Sequence, residues 1–221
     1  MSPRRARVLR DQGGPDSPGA LRRHLLDVTQ RLLAAHGAAG LTTREIAREA
    51  QVADGLLYNH FAGKDDLVVT ALGERATALV DGFLAAQPEP GTATLEENLT
   101  VIARSVLELT VQTVPLVTGL LGQAALLSRF IDAIHTGQAG PQTAFAAVVD
   151  ELTAEQALGR VSADVDLRAV VELLFGACLS RAFIGQLSAH EVPAMPQEGR
   201  DLDAVVAVLV RALRPDGATA P

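Results

Sequence analysis

Side chains that bind anions and the edges of bases are concentrated in one short segment near the start of the chain. Between Thr43 and Lys64 the sequence brings together hydroxyl, guanidinium, imidazole, amide and ammonium groups. Lys64 is the only lysine of the chain and Tyr58 is its only tyrosine. Such groups hydrogen-bond to phosphate oxygens, and an arginine can also bind both acceptors on the edge of a guanine. The chemistry open to this segment is therefore the non-covalent binding of a nucleic acid.

The distribution of charge bears on this chemistry more than the net charge of −7 does. Residues 1–64 contain ten Arg and Lys against six Asp and Glu, whereas residues 65–221 contain nine against twenty. Because salt screens charges beyond about 10 Å, a basic end can bind phosphate on an acidic molecule. A solvated tail beside an ordinary surface explains the same distribution, so charge alone leaves both interpretations open.

The elements that must position these groups are three predicted helices. Leucine and valine residues of segment 21–36 recur at spacings of four, three and four, which is typical of one buried helical face. Thr42 and Glu45 form a capping box, in which the Thr42 hydroxyl accepts from the Glu45 amide and Glu45 reaches back to the Thr42 amide. A second short helix is predicted over residues 53–60 after a turn at Gln51. Together these segments form a helix-turn-helix, whose second short helix lies in the major groove.

The residues of this helix-turn-helix are more specific than the bare motif. Residues 41–67, with the sequence LTTREIAREAQVADGLLYNHFAGKDDL, closely resemble the DNA-binding domain of the TetR family of transcriptional repressors. The resemblance extends over about residues 21–72, roughly a quarter of the chain, and includes the Thr-Thr-Arg opening and the Leu-Tyr-x-His-Phe segment. Beyond these residues only the number, lengths and order of the predicted helices are similar. The resemblance implies a dimeric, ligand-responsive repressor that binds operator DNA.

Two residues depart from the pattern of the family. Gln51 stands where the family usually has a glycine in the turn, so Gln51 must accept a strained left-handed backbone or form a different turn. Ala53 stands where a serine or threonine often caps the recognition helix, and the missing cap costs about 1 kcal/mol. Asp54 could take over as the cap.

Five DNA contacts are expected from side-chain chemistry together with the resemblance. The hydroxyl and amide of Thr43 could hold a phosphate at the start of a helix. Arg44 could bind guanine or phosphate. Tyr58, His60 and Lys64 are expected to bind phosphate, His60 because it resembles a phosphate contact of the family. Taken without the motif, Tyr58 and His60 are better explained as ordinary half-buried side chains.

The remaining candidates concern the groove itself. Gly55 permits close approach, Leu56 can touch a thymine methyl group, and Asn59 can read adenine or bind the backbone. Asp54 is as well explained by a capping role as by a DNA contact, because its carboxylate repels phosphate. Leu57 and Phe61 are expected to point inward. The basic arm could add minor-groove contacts or be a disordered tail, and its arginines are Arg4, Arg5, Arg7 and Arg10.

Further helices are predicted through the rest of the chain, and no segment alternates as a strand does. The predicted fold is all-α, with an N-terminal three-helix DNA-binding domain followed by a helical ligand-binding and dimerisation bundle. Its expected parts are a flexible basic arm (1–19), the helix-turn-helix domain (20–66), the ligand-binding and dimerisation domain (67–215) and a tail (216–221). Helices are expected at about residues 64–87, 95–113, from Pro115 to before Ile134 with a bend or break, 141–158, 166–188 and 201–213.

The resemblance places dimerisation on the helices at 141–158 and 166–188, which would form a four-helix bundle with a second copy of the chain. Apolar residues run along both helices, and small residues on the second permit close approach. A two-fold dimer would match a pseudo-palindromic operator. The apolar residues are Phe145, Val148, Val149, Leu152, Val170, Val171, Leu174, Phe175 and Cys178, and the small ones are Gly176, Ala177 and Ala182.

Segment 95–136 is apolar on more than one face, a composition that can enclose a pocket with few polar groups. We therefore expect an uncharged or weakly polar, mainly hydrophobic effector. Its binding would shift the population towards a state in which the helix from Lys64 to Gln87 spaces the two DNA heads wrongly. A filled core or a solvated face explains each lining residue equally well. The candidate lining residues are Thr110, Thr113, Val117, Leu120, Leu121, His135 and Gln142.

Other classes of protein are disfavoured. The five histidines are scattered without metal-ligand spacing, so neither a metal nor a cofactor is expected. No nucleophile with a base and no pair of carboxylates suggests catalysis, and Cys178 is expected in the core, so we do not expect an enzyme. The alternative is a helical small-molecule-binding or scaffold protein whose DNA head does not function.

The expected location is the bacterial cytoplasm, with no membrane partner. A single cysteine excludes an intrachain disulfide, which is typical of a reducing compartment. The basic N-terminus is followed by a stretch rich in Gly, Pro and Asp, not by the apolar core of a signal peptide. No apolar run approaches the ~20 residues that cross a bilayer.

Overall fold

A computed structural model describes residues 18–38, 40–137, 140–188 and 202–215 of the chain. Every regular element within these residues is a helix, which confirms the predicted all-α fold. The four arginines of the basic arm and the predicted tail at 216–221 lie outside the described residues. The helices are α1 (Pro18–His36), α2 (Thr43–Glu49), a 3₁₀-helix (Asp54–Asn59), α3 (Lys64–Ala85), α4 (Leu95–Thr118), α5 (Ala124–Thr136), α6 (Pro141–Ala157), α7 (Leu167–Ser188) and α8 (Leu202–Leu213).

The chain divides into two compact units. Unit 1 contains the residues up to 76 together with residues 117–137, and unit 2 contains residues 77–116 together with those from 138 onward. Helices α3 and α4 therefore contribute to both units. The two units are defined by their compactness. The predicted domains, a DNA-binding domain (20–66) and a ligand-binding and dimerisation domain (67–215), are defined by function, and this division stays a prediction.

Helix α1 buries one face in unit 1, as its apolar spacing predicts. Leu25, Leu26 and Val28 are at most 1% exposed. Thr29 is buried among them, and its hydroxyl donates to the Leu25 carbonyl at 2.7 Å, so that this polar group is satisfied within the helix. Gly37 follows the helix with a φ of +70°, a conformation that glycine adopts without steric cost.

Helix α4 passes through Pro115, where a new helix was predicted to start. The helix continues to Thr118, and the next one begins only at Ala124. The predicted boundary is wrong because proline removes one backbone donor near the end of a long helix whose earlier turns are already anchored. Val114, next to the proline, is buried, so the helix keeps its packing through this point.

By length and composition, α4 is also apolar enough to cross a membrane, which the sequence analysis did not predict. One face of this helix is buried in the chain. Glu96 and Glu97 occupy its first turn, and the side-chain amide of buried Asn98 donates to Glu155 of α6 at 2.8 Å. The buried residues of α4 are Asn98, Leu99, Ile102, Ala103, Val106, Leu109, Thr110 and Val114.

The core of unit 2 contains most of the residues that were expected to form a dimer interface. For the buried ones the prediction is wrong, because the helices are apolar on several faces and the chain uses one of these faces for its own core; dimerisation on these two helices stays a prediction. Phe145, Val149 and Phe175 pack against this core and are partly buried. Those buried within the chain are Val148, Leu152, Val170, Val171, Leu174, Cys178 and Ala182.

A buried carboxylate ties the segment before α4 to the end of α6. Glu155 is 1% exposed, and its Oε1 accepts from Asn98 and, at 3.2 Å, from the Gly91 amide. Its Oε2 lies 3.2 Å from Nε of Arg160, an ion pair without hydrogen-bond geometry. Arg160 also donates to the carbonyl of Ala93. Because a buried charge is stable only with partners, these contacts fix the loop that enters α4.

Candidate nucleic-acid interface

Helix α2 begins at the predicted cap and presents two of the predicted contacts. The Thr42 hydroxyl accepts from the Glu45 amide at 3.2 Å, and Ile46 and Ala47 are fully buried. Thr43 is half-buried in the first turn, and Arg44 is exposed. No residue in the described part of the chain forms an ion pair with Arg44. Its guanidinium therefore faces solvent, as a group that binds DNA must.

The turn after α2 has a left-handed residue at the position where the family usually has glycine. Gln51 has a φ of +56°. Its amide donates to the Arg48 carbonyl at 3.1 Å, and the Val52 amide donates to the Ala47 carbonyl at 3.0 Å. These two bonds form a Schellman motif, whose left-handed position normally favours glycine. Of the two outcomes expected for Gln51, the strained left-handed backbone is therefore the one observed.

The segment after the turn forms the 3₁₀-helix Asp54–Asn59, which we call the recognition helix, where a helix over residues 53–60 was predicted. Leu57 is fully buried and Phe61 is 3% exposed, as predicted. Tyr58 is 58% exposed and Leu56 is 38% exposed. An ordinary half-buried Tyr58 is therefore excluded, whereas both interpretations of the half-buried His60 remain. The candidates Asp54, Gly55 and Asn59 are exposed as well.

The recognition helix starts without a side-chain cap. Ala53 occupies the N-cap position, and its side chain forms no capping hydrogen bond. Asp54 is the first residue inside the helix, so the expectation that it takes over as the cap is wrong. Its carboxylate still lies near the positive end of the helix, where an acidic side chain is favourable.

The loop that leads into α3 is held by Asp66. Its Oδ2 accepts from the Ala62 amide at 3.0 Å, and its Oδ1 lies 3.7 Å from a guanidinium nitrogen of Arg129 on α5. Lys64 is half-buried in the first turn of α3, two residues before Asp66. In the described residues no carboxylate lies within ion-pair distance of its ammonium group. Lys64 is thus placed at a fixed loop, and it forms no ion pair within the described part of the chain.

Three side chains of α1 fasten the neighbouring elements of unit 1. Arg22 lies over the Phe61 ring, His24 bonds to the Ala50 carbonyl at 3.1 Å, and Gln30 donates to the Ala71 carbonyl at 2.9 Å. Phe61 follows the recognition helix, and Ala50 precedes the strained turn. Helix α1 therefore braces the recognition helix at both of its ends.

The predicted effector residues are divided between the two units. Val117, Leu120, Leu121 and His135 belong to unit 1, whereas Thr110, Thr113 and Gln142 belong to unit 2. Leu120 is buried, Leu121 and Val117 are 62% and 40% exposed, and His135 and Gln142 are exposed. Their role in binding stays a prediction.

Three of the four polar members of this set bond to their own helices. The hydroxyl of Thr110 donates to Val106 and that of Thr113 to Leu109, while Nδ1 of His135 bonds to the carbonyl of Ile131. A separate groove of about 200 Å³ lies in unit 2 between α3 and α4. None of the predicted residues lines it, and its lining residues are Ala78, Leu79, Gly82, Phe83, Ala86, Ser105, Glu108, Leu109 and Gln112.

Catalytic groups were not expected, and two observations bear on this point. No group of three or more His, Cys, Asp or Glu in the described residues could hold a metal ion. Burial raises the pKa of the Cys178 thiol to about 11, which opposes formation of the reactive thiolate. Cys178 is fully buried, as predicted.

Residues 25–71, which contain the turn and the recognition helix, match the family model of bacterial regulatory proteins, tetR family. Residues 25–71 therefore have the sequence of a TetR-family N-terminal domain. The match confirms the resemblance drawn from residues 41–67, and it identifies unit 1 as the part of the chain that carries the TetR-family helix-turn-helix. A comparison with curated proteins gave no match.

Solved structures of similar fold extend beyond the TetR-family domain to most of the chain. Escherichia coli NemR in its reduced form is 16% identical, with 90% of this chain and 100% of NemR covered and a TM-score of 0.63. FadR from Bacillus subtilis, solved with stearoyl-CoA, is 17% identical, with 87% and 99% covered and a TM-score of 0.56. The flavonoid-responsive regulator FrrA is 17% identical, with 90% and 100% covered and a TM-score of 0.61. At these identities the likeness concerns the fold.

The sequence did not predict the residues that support the TetR-family helix-turn-helix through contacts from α1 and α3. Arg22 lies over Phe61, His24 bonds to Ala50, Gln30 donates to Ala71 of α3, and Asp66 accepts from Ala62, but no role was predicted for these four side chains. The one available signal was Gln51, because a turn without its usual glycine needs support from elsewhere.

Proposed function

We propose that this TetR-family chain is a transcriptional repressor of the bacterial cytoplasm, which binds a pseudo-palindromic operator as a homodimer and is released by a small, mainly hydrophobic effector. The observation that carries the proposal is the recognition helix, in which buried Leu57 fixes a surface that exposes Leu56, Tyr58 and Asn59. A rigid helix with exposed side chains is what readout of base edges in the major groove requires.

Groups that can bind phosphate flank this surface. Arg44 and Thr43 lie at the start of α2, and Lys64 lies at the start of α3. Tyr58, which is 58% exposed, adds a phenolic hydroxyl. In this arrangement the cations and hydroxyls orient the head on the backbone, while Leu56 and Asn59 meet the bases. The local positive charge supports binding despite the acidic remainder of the chain.

The proposed dimer uses a face of α7 other than the one first predicted. Leu173, Phe183 and Leu187 are 67%, 45% and 40% exposed, and Gly176 is exposed between them. Their spacings of three, seven and four residues follow the seam of a helical pair. An exposed stripe of this kind on a soluble protein is favourable when a second helix covers it, and the same stripe on the second copy is self-complementary about a two-fold axis.

The effector is proposed to be apolar with few polar groups. FadR from Bacillus subtilis was solved with stearoyl-CoA, and FrrA is described as flavonoid-responsive. Both names concern ligands with large apolar parts, which agrees with the apolar composition of α4 and α5. The effector would favour a state with wrongly spaced DNA heads, since a ligand shifts an equilibrium only by its preference for one state.

The decisive experiment selects DNA fragments with the purified full chain at near-physiological salt and sequences those retained. An enriched pseudo-palindrome is expected, with affinity that falls steeply as salt rises. Weak binding that salt erases, without a shared sequence, would contradict operator binding by the effector-free protein. The same selection repeated with added cell-extract metabolites then distinguishes a co-repressor requirement from a scaffold protein with an inactive head.

A further inference from the structure

The end of α2 has one buried carbonyl that the helix-turn-helix itself does not satisfy. The Ala50 amide donates to Ile46, the Gln51 amide to Arg48 and the Val52 amide to Ala47. The Ala50 carbonyl is left over, and Ala50 is only 1% exposed. A buried carbonyl without a partner is unfavourable, so this group needs a donor from another element.

That donor is His24 on α1. Its Nε2 lies 3.1 Å from the Ala50 carbonyl oxygen, across 26 positions of sequence. A carbonyl oxygen only accepts hydrogen bonds, so Nε2 carries the proton in this contact.

The residue after Ala50 is the strained one. Gln51 has a φ of +56°. This conformation is unfavourable for a residue with a Cβ atom, whereas glycine adopts it without steric cost. The recognition helix begins at Asp54, only three residues later, without a side-chain cap. Neither the turn nor the start of the recognition helix is therefore fixed by its own residues alone.

We propose that His24 is a positioning residue for DNA readout, which holds the turn in place of the missing glycine. The role rests on the proposed operator binding. By holding the Ala50 carbonyl, His24 fixes the direction in which the chain leaves α2. This direction determines the position of the recognition helix. A small error there displaces the base contacts of Leu56 and Asn59, whereas long cationic side chains such as Lys64 can still follow the phosphates.

Two amide variants at this position form a matched pair. In His24→Gln the amide nitrogen reaches the place of Nε2, whereas in His24→Asn it stops at the place of Nδ1 and leaves the Ala50 carbonyl without a donor. His36→Asn, an exposed histidine of the same helix, is the control. The operator is the sequence enriched by the wild-type chain. Fluorescence anisotropy measures the affinity for it and for a scrambled duplex at several salt concentrations, and circular dichroism measures Tm.

We expect His24→Asn to bind the operator about tenfold more weakly, the effect of one lost hydrogen bond at a buried carbonyl. Its affinity for the scrambled duplex and its salt slope should not change, because no phosphate contact is removed. His24→Gln should restore most of the loss, and His36→Asn should bind as the wild type does. Equal losses on both duplexes, or equal binding by the Asn and Gln variants, would overturn the role.

Coupling to Gln51 gives the most specific result. In the Gln51→Gly background the turn no longer carries strain, so His24→Asn should weaken operator binding by less than about threefold. The affinities of all variants are compared at a temperature at which they are folded to the same extent. A tenfold loss that persists in the Gln51→Gly background therefore contradicts the proposal, even if His24→Asn also lowers Tm. If the wild-type chain enriches no operator at all, the proposed function fails first, and the role of His24 falls with it.

Discussion

The guanidinium of Arg22 lies over the ring of Phe61, with its central carbon 5.4 Å from the ring centroid. The same group donates to the carboxylate of Glu74 on α3 at 3.0 Å. Phe61 lies two residues after the recognition helix. The Arg22 side chain of α1 therefore links the end of the recognition helix to α3, the long helix that follows. The contact helps to fix the far end of the recognition helix, as His24 fixes the near end.

Replacing Arg22 with glutamine should lower the free energy of unfolding by about 1 kcal/mol. The estimate combines a partly exposed cation–π contact with an ion pair whose side chains are 40% and 46% exposed, each contributing at most about 1 kcal/mol. Urea denaturation monitored by circular dichroism measures the change. Arg23→Gln, on the same helix, is the control, since among the described residues the Arg23 side chain bonds to the Gly19 carbonyl of its own helix. Equal stability of the two variants would contradict a bracing role for Arg22.

Helix boundaries could be predicted where one residue type determines them. Thr42 caps α2 and Gly37 follows α1, because a hydroxyl cap and a left-handed glycine act locally and are visible in the sequence. The position of the recognition helix was predicted, but its 3₁₀ geometry was not. Six residues without a cap take their conformation from the packing of Leu57 and Phe61. Pro115 misled the prediction, because the anchoring of α4 outweighs the loss of one donor.

Contacts between distant residues could not be predicted from the sequence. The bond from His24 to Ala50 joins two elements whose relative placement only the folded structure defines. The face of α7 that enters the core was also hidden, because Leu173 and Leu174 are equally apolar in sequence, yet the first is 67% exposed and the second 1%. Periodicity identifies a buried face only when another face is polar.

Lys64 should contribute one phosphate contact to operator binding. In Lys64→Gln the slope of log affinity against log salt should become shallower by about 1, with a similar loss of affinity for operator and unrelated duplexes. This pattern is opposite to that expected for His24→Asn, which keeps the slope. Arg104→Gln is the control, because Arg104 belongs to unit 2 and lies 3.7 Å from Asp203. An unchanged slope would place Lys64 away from the DNA backbone.

The exposed stripe on α7 should mediate dimerisation. Leu173→Glu places a carboxylate at the most exposed apolar position of this helix and should weaken the dimer at least tenfold, because a charge buried at an interface lacks a partner. Sedimentation velocity over a range of concentrations measures the association. Val208→Glu is the control, since Val208 is also apolar and 57% exposed but lies on α8. Dissociation by Val208→Glu alone would assign the interface to α8.

Glu151 should make stability depend on pH in the acidic range. Desolvation raises the pKa of this carboxyl above its ordinary value, and the nearby Glu155 raises it further. Oε1 of Glu151 is buried and has no hydrogen-bond partner among the described residues, although the rest of the residue is partly exposed. The folded state therefore binds the proton more tightly than the unfolded state does. The stabilising contribution is complete below the unfolded pKa and is lost as pH rises through the higher folded pKa.

Glu151→Gln removes this dependence, so the variant should be more stable than the wild type at pH 7 and equally stable near pH 4. The gain at pH 7 should remain below about 1 kcal/mol, because water screens a partly exposed carboxyl. Urea titrations at several pH values between 4 and 7 measure the difference, and Asp150→Asn corrects for the loss of one negative charge from an exposed neighbour. A variant that is less stable than the wild type at pH 7 would mean that the Glu151 carboxylate is stabilised in the folded chain, which its unpartnered Oε1 opposes.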